Sequence, residues 1–74
     1  MIVVATLETR HYTFEAAGND EPEAREVMRG LLIRHFRQHG LAGAELADRV
    51  AEFAGDVVFK TFTAGTSLRD GEPL

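Results

Sequence analysis

The chain has 74 residues, enough for one small domain, with 8 Lys and Arg against 12 Asp and Glu and a formal net charge of −4. It has no cysteine, which excludes disulfide staples, thiolate metal sites and a thiol nucleophile. An acidic balance argues against general nucleic-acid binding, which rests on phosphate neutralisation by a basic surface.

Residues 2–9 open with a near-continuous apolar run, Ile2-Val3-Val4-Ala5, followed by Thr6 and Leu7. Such a run predicts a central strand buried on both faces. Residues 11–16 alternate, with Tyr12, Phe14 and Ala16 on one side and His11, Thr13 and Glu15 on the other. They predict a half-buried strand that forms a hairpin with the first through Glu8–Arg10. Gly18-Asn19-Asp20 then breaks the strand.

The stretch 20–39 is the longest periodic segment and predicts the organising helix. Asp20 is placed to cap it, with Glu23 three residues on and Pro22 in the first turn. Acidic side chains crowd its start and Arg34 and Arg37 its end, as the helix dipole favours. Ala24, Val27, Met28, Leu31, Leu32 and Phe36 make one wide apolar stripe, continued by His35 and His39. Gly30 inside the helix suggests close approach by another backbone. Ile33, off the stripe, is either an exposed apolar residue or a contact for a partner. Gly40 can take the left-handed conformation that ends a helix.

A short connection, 40–43, leads to a second helix over about 44–54, with Leu46, Ala47, Val50, Phe53 and Ala54 on one face. Leu41 can staple against Leu46. Residues 56–63 are β-rich, Val57, Phe59 and Thr61 alternating with Val58, Lys60 and Phe62. Residues 64–74 have turn chemistry at Asp70-Gly71 and no periodicity, and read as a loosely ordered tail outside a domain of residues 1–63. A docking tail would use Leu68 and Leu74.

The order β-β-α-α-β predicts an α+β fold with a three-stranded sheet in the order 2-1-3 and two antiparallel helices on one face. A helix pair that runs out and back would set the third strand parallel to the first. The uncovered face would carry either Val3, Ala5 and Leu7 or Ile2 and Val4, and an apolar open face with free edges invites self-association.

Chemistry-bearing motifs are sparse. His35 and His39 have the i, i+4 spacing of a shared metal, with a third ligand to come from His11 or a carboxylate, but no Glu stands beside them and Arg34 and Arg37 oppose a cation. Ser67 is the only serine, and no nucleophile elbow, P-loop or dinucleotide fingerprint is present. The expectation is therefore no enzyme, no metal and no cofactor. Arg25, Arg29, Arg34 and Arg37 form a basic arc on the long helix, the one feature that would favour nucleic acid.

Gly40-Leu41 followed by Glu45-Leu46-Ala47 resembles the first half of a repressor-type helix-turn-helix. The second half is missing: Ala51-Glu52-Phe53-Ala54 continues the helix and a β-rich segment follows, so no recognition helix is available. Over most of its length the chain resembles small uncharacterised proteins of actinobacterial phages and mobile elements. The opening strand, His11–Ala16, Glu23–Arg25 and Gly65–Leu74 carry that likeness. It implies a host-cytoplasm protein and assigns no functional residue.

Unstapled domains of this size bury only about 60% of their unfolded surface, so a homo-oligomer, most simply a dimer, is the expected source of added stability. The lack of disulfides fits the cytoplasm. The run after Met1 is too short for a signal-peptide core or a membrane span. The composite expectation is a non-enzymatic, self-associating interaction module. Its rival is a phage-type nucleic-acid regulator using the arginine arc.

Overall fold

The most apolar run of the chain forms β1 (Ile2–Glu8), and the alternating segment after it forms β2 (Thr13–Gly18). In this computed structural model, which describes residues 1–67, 70, 71 and 73, α1 (Glu21–Gln38), α2 (Gly43–Ala54) and β3 (Val58–Phe62) follow. The sheet order is β2-β1-β3, the α+β arrangement the pattern predicts.

The hairpin closes without Asn-Gly. Thr9 donates its backbone N–H to the Tyr12 carbonyl at 2.8 Å. Its hydroxyl donates to the same carbonyl at 2.9 Å and accepts the Tyr12 N–H at 3.0 Å. These bonds occupy the polar groups of Tyr12, so β2 begins at Thr13, two residues later than the alternation predicts. It also runs on to Gly18, the residue read as its breaker. A Cβ on Gly18 would lie 2.5 Å from the Ala24 backbone N. Only glycine lets the start of α1 press this closely on the strand.

Asp20 caps α1, its Oδ1 accepting the Glu23 N–H at 2.8 Å. The reciprocal half of the capping box is displaced by one residue, Glu23 Oε1 accepting from the Asn19 N–H at 3.1 Å and from Asn19 Nδ2 at 3.2 Å. At the other end Gly40 has φ +89°. The Leu41 N–H donates to Phe36 O and the Gly40 N–H to Arg37 O, both at 3.0 Å, a Schellman closure. Between the caps α1 buries Ala24, Met28 and Leu32. Val27, on the edge of the stripe, is 47% exposed. Ile33 packs partly against the core. Gly30 is exposed, and a Cβ there would meet nothing within 4 Å, so no backbone approaches it as the sequence suggested.

Val3, Ala5 and Leu7 of β1 and Phe14 and Ala16 of β2 form one buried face with Ala24, Met28, Leu32, Leu46 and Val50. The register places Leu7 opposite Phe14 and Ala5 opposite Ala16. On the other side of β1, Phe59 stands opposite Ala5. β1 is central, but it is not buried on both faces: Ile2 is 46% exposed. Both helices feed the same core and leave the far face of the sheet open.

The direction of β3 corrects the sequence reading. It pairs antiparallel to β1, Ile2 opposite Phe62 and Thr6 opposite Val58. The expectation of a parallel third strand assumed that α2 returns the chain along the full length of α1. Instead Phe53, near the end of α2, stacks on Phe36 near the end of α1, with ring centroids 5.4 Å apart. It also borders the 9–12 loop. α2 therefore leaves and rejoins the sheet at the end where α1 finishes, and β3 must run back from there.

No helix among the described residues is long and apolar enough to cross a membrane. Beyond β3 the Thr66 hydroxyl donates to Thr63 O at 2.6 Å. The Ser67 hydroxyl donates to Asp70 Oδ1 at 2.6 Å, and Gly71 has φ +84°. Leu68 and Leu74, the apolar residues of a docking tail, lie outside the described residues.

Candidate functional site

The strand register sorts the residues proposed for self-association. Val3, Ala5 and Leu7 belong to the core beneath α1. Ile2 and Val4 fall on the open face. Val4 stands between Ala17 and Lys60, Thr6 between Glu15 and Val58, and Ile2 opposite Phe62. The open face is thus an apolar patch of Ile2, Val4, Ala17, Val58 and Phe62, with Val58 57% exposed. One charge stands on each outer strand, Glu15 on β2 and Lys60 on β3, and Glu8 stands at the end of β1. Ala17, Val58 and Phe62 were not singled out from the sequence. The alternation of 56–63 contained the last two, once Phe59 is known to face inward.

The second feature is a cleft of about 460 Å³ between α1, α2 and the β3 side of the sheet. Met28, Leu32, Leu46, Val50, Val57 and Phe59 give it an apolar lining. Along the α1 wall runs the i+4 row Arg25, Arg29, Ile33, Arg37; along the α2 wall runs the small-residue row Gly43, Ala47, Ala51. Small side chains on α2 leave the gap. That spacing was legible in the sequence, but which helix it would face was not.

The arginine arc is divided by this geometry. Arg25, Arg29 and Arg37 line the cleft and Arg34 does not. Arg25 pairs with Glu21 at 2.7 Å and sits 4.7 Å over the Phe59 ring. Arg29 approaches Glu26 at 3.7 Å. Both pairs are exposed and contribute little to stability.

The third feature is an aromatic cluster at the hairpin end. His35 and His39 do lie together, ring centroids 4.5 Å apart, as their spacing predicts. The Tyr12 ring packs at 4.6 Å from His35 and 5.7 Å from His39, and Phe14 at 4.8 Å from His35. Burial, and then the neighbouring His39, lower the His35 pKa from its ordinary 6.5. His11 is exposed in the loop, and the rings packed against His35 are those of Tyr12, Phe14, Phe36 and His39. Among the described residues no three His, Cys, Asp or Glu side chains are grouped to hold a metal ion.

Comparison with protein-family models, with curated proteins and with solved structures finds no match for this chain.

Proposed function

We propose that this chain is a non-enzymatic interaction module that works as a homodimer, joined face to face through the open side of its sheet. The observation that carries this reading is the patch of Ile2, Val4, Ala17, Val58 and Phe62 on a three-stranded sheet whose other face is the one that carries the helices. A small unstapled domain gains most by removing such a patch from water, at about 25 cal/mol per Å² of apolar surface.

Three charges stand on this face, Glu15, Lys60 and, at the end of β1, Glu8, and the two on the outer strands choose among the symmetric arrangements. A two-fold axis perpendicular to the strands would set β2 over the partner's β2 and oppose Glu15 to its own copy. An axis parallel to β1 sets β2 over the partner's β3 and brings Glu15 toward the partner's Lys60. Glu15 is level with Thr6 and Lys60 with Val4. That offset of two residues is roughly 7 Å across sheets stacked about 10 Å apart, within reach of the two long side chains. Two Glu15–Lys60 approaches against one Glu8–Glu8 approach at the rim favour the second axis, with Val4 and Thr6 at the centre of the interface. The absence of cysteine supports a cytoplasmic setting.

Light scattering coupled to size exclusion tests the reading: the expected mass is twice that of the chain, and Val4→Glu should return it to one. Glu15→Lys alone should weaken the dimer, and Glu15→Lys with Lys60→Glu should restore it. A monomer at all concentrations, or a dimer indifferent to Val4→Glu, rejects the interface.

A further inference from the structure

We infer that the cleft between α1 and α2 is a binding site for a small anionic amphiphile, an aliphatic chain ending in a carboxylate. It lies on the opposite side of the sheet from the proposed dimer face, so the two readings stand or fall separately.

Size, lining and charge each narrow the occupant. A volume of about 460 Å³ falls within the range of small-ligand pockets, roughly 300–1,000 Å³, and such pockets are mostly apolar with a few placed polar groups. The interior offers aliphatic and aromatic carbon from Met28, Leu46, Val50, Val57 and Phe59, with no buried polar side chain among the described residues to orient a polar ligand. An unbranched hydrocarbon chain meets that lining.

Among the described residues the charged lining is Arg25, Arg29 and Arg37, without a single Asp or Glu. This is the reverse of the chain as a whole, whose net charge is −4. An occupant with a negative head is selected and one with a positive head is repelled. Arg25 is engaged with Glu21 and covers Phe59, and so closes one end. Arg37 pairs with no carboxylate among the described residues, and Arg29 holds Glu26 only at 3.7 Å. These two guanidinium groups, on either side of Ile33, are left to receive the head group through charge-assisted hydrogen bonds. The small row Gly43, Ala47, Ala51 leaves room for the chain against α2.

The test is a titration of the full ¹⁵N-labelled chain with sodium dodecanoate below its micelle concentration, beside dodecyltrimethylammonium, which has the same tail and a cationic head. Dodecanoate should saturate one site and move the amide signals of Met28, Ile33, Val50, Ala51 and Ala54. The cationic probe should bind at least about tenfold more weakly, the scale of one lost charge-assisted contact. Arg37→Glu should weaken dodecanoate by a similar factor, whereas Arg34→Glu, outside the cleft, should leave it unchanged. Ala51→Trp, at an exposed position, should fill the cleft and abolish binding while the remaining amide spectrum stays folded.

Equal affinity for the two heads, equal losses in the two arginine variants, or shifts confined to the sheet would overturn the proposal. So would binding only to anionic phospholipid vesicles, which would make this a membrane surface. A change of oligomeric mass in Ala51→Trp would make the cleft a contact between copies and overturn it equally.

Discussion

Over β2 and β1 the sheet is covered by α1, whose Ala24, Met28 and Leu32 are almost wholly buried, and Gly18 lets the strand and the helix backbone touch. On the β3 side the neighbour is α2, which turns Gly43, Ala47 and Ala51 toward α1 and leaves a cleft. There Phe59 and Val57 are only partly buried. Both sides draw on the same kinds of apolar residue, so hydrophobicity does not separate them. Side-chain size at the helix contact does, together with the fact that α2 crosses at one end of the sheet. The tight side holds the fold, and the loose side offers space.

The sharpest way to break this comparison is to truncate one leucine on each side. Leu7, in the core and away from the cleft, is 2% exposed and Leu46, which lines the cleft, 8%. Leu7→Ala should cost about 4 kcal/mol, because the cavity it leaves is enclosed by the core between the sheet and α1. Leu46→Ala should cost about 2 kcal/mol, since it enlarges an opening that water already reaches. Urea unfolding at one fixed protein concentration, needed because dimerisation adds to apparent stability, gives both values. Equal costs would mean that the two sides are equally packed.

Next in size is Gly18→Ala. Its new Cβ would meet backbone atoms of Glu23 and Ala24, not the movable end of a side chain, so the strand and helix must separate. Such overpacking costs about 1–3 kcal/mol, and the same unfolding measurement reads it. No loss of stability would show that the β2–α1 contact yields easily and that the tight side is not rigid.

Gly18 also marks where the sequence was legible and where it was not. As a lone glycine beside Asn19 and Asp20 it reads as a strand end, and its role in close approach emerges only when α1 lies on β2. Gly30 misled in the opposite sense: glycine in mid-helix suggests a neighbour, and there is none. The Asp20 cap and the Gly40 closure were legible because caps are written in adjacent residues, and the central place of β1 because it is the most apolar run. The direction of β3 was not, since it depends on the angle at which α2 crosses α1. The cleft escaped for the same reason. Its arginine row and small-residue row are visible in the sequence, but their confrontation is set by tertiary packing.

Gly30→Ala turns that misreading into a measurement. Position 30 is helical, exposed and open on its Cβ side, so alanine adds no clash and restricts the unfolded chain. The variant should be more stable by up to about 1 kcal/mol, opposite in sign to Gly18→Ala. A destabilised Gly30→Ala would show that another molecule occupies the space beside that helical turn.

The smallest expected effect comes from the hairpin end, where His35 lies among Tyr12, Phe14, Phe36 and His39. Burial, and secondarily the charge of His39, lower its pKa below 6.5 in the folded chain, whereas an unfolded histidine titrates near 6.5. Above 6.5 both states carry neutral His35 and its contribution is intact. As the pH falls through 6.5 the unfolded chain takes up the proton first, so stability declines. The decline ends once the pH is below the folded-state value. A melting temperature followed from pH 8 to 5 should therefore fall in the acid range. His39→Gln should flatten that fall only in part, because it removes the repulsion between the imidazoles and leaves the desolvation by Tyr12 and Phe14. If His39→Gln abolished the fall altogether, charge and not burial would govern this corner, and the Tyr12–His35 packing would be far wetter than its 4.6 Å separation implies.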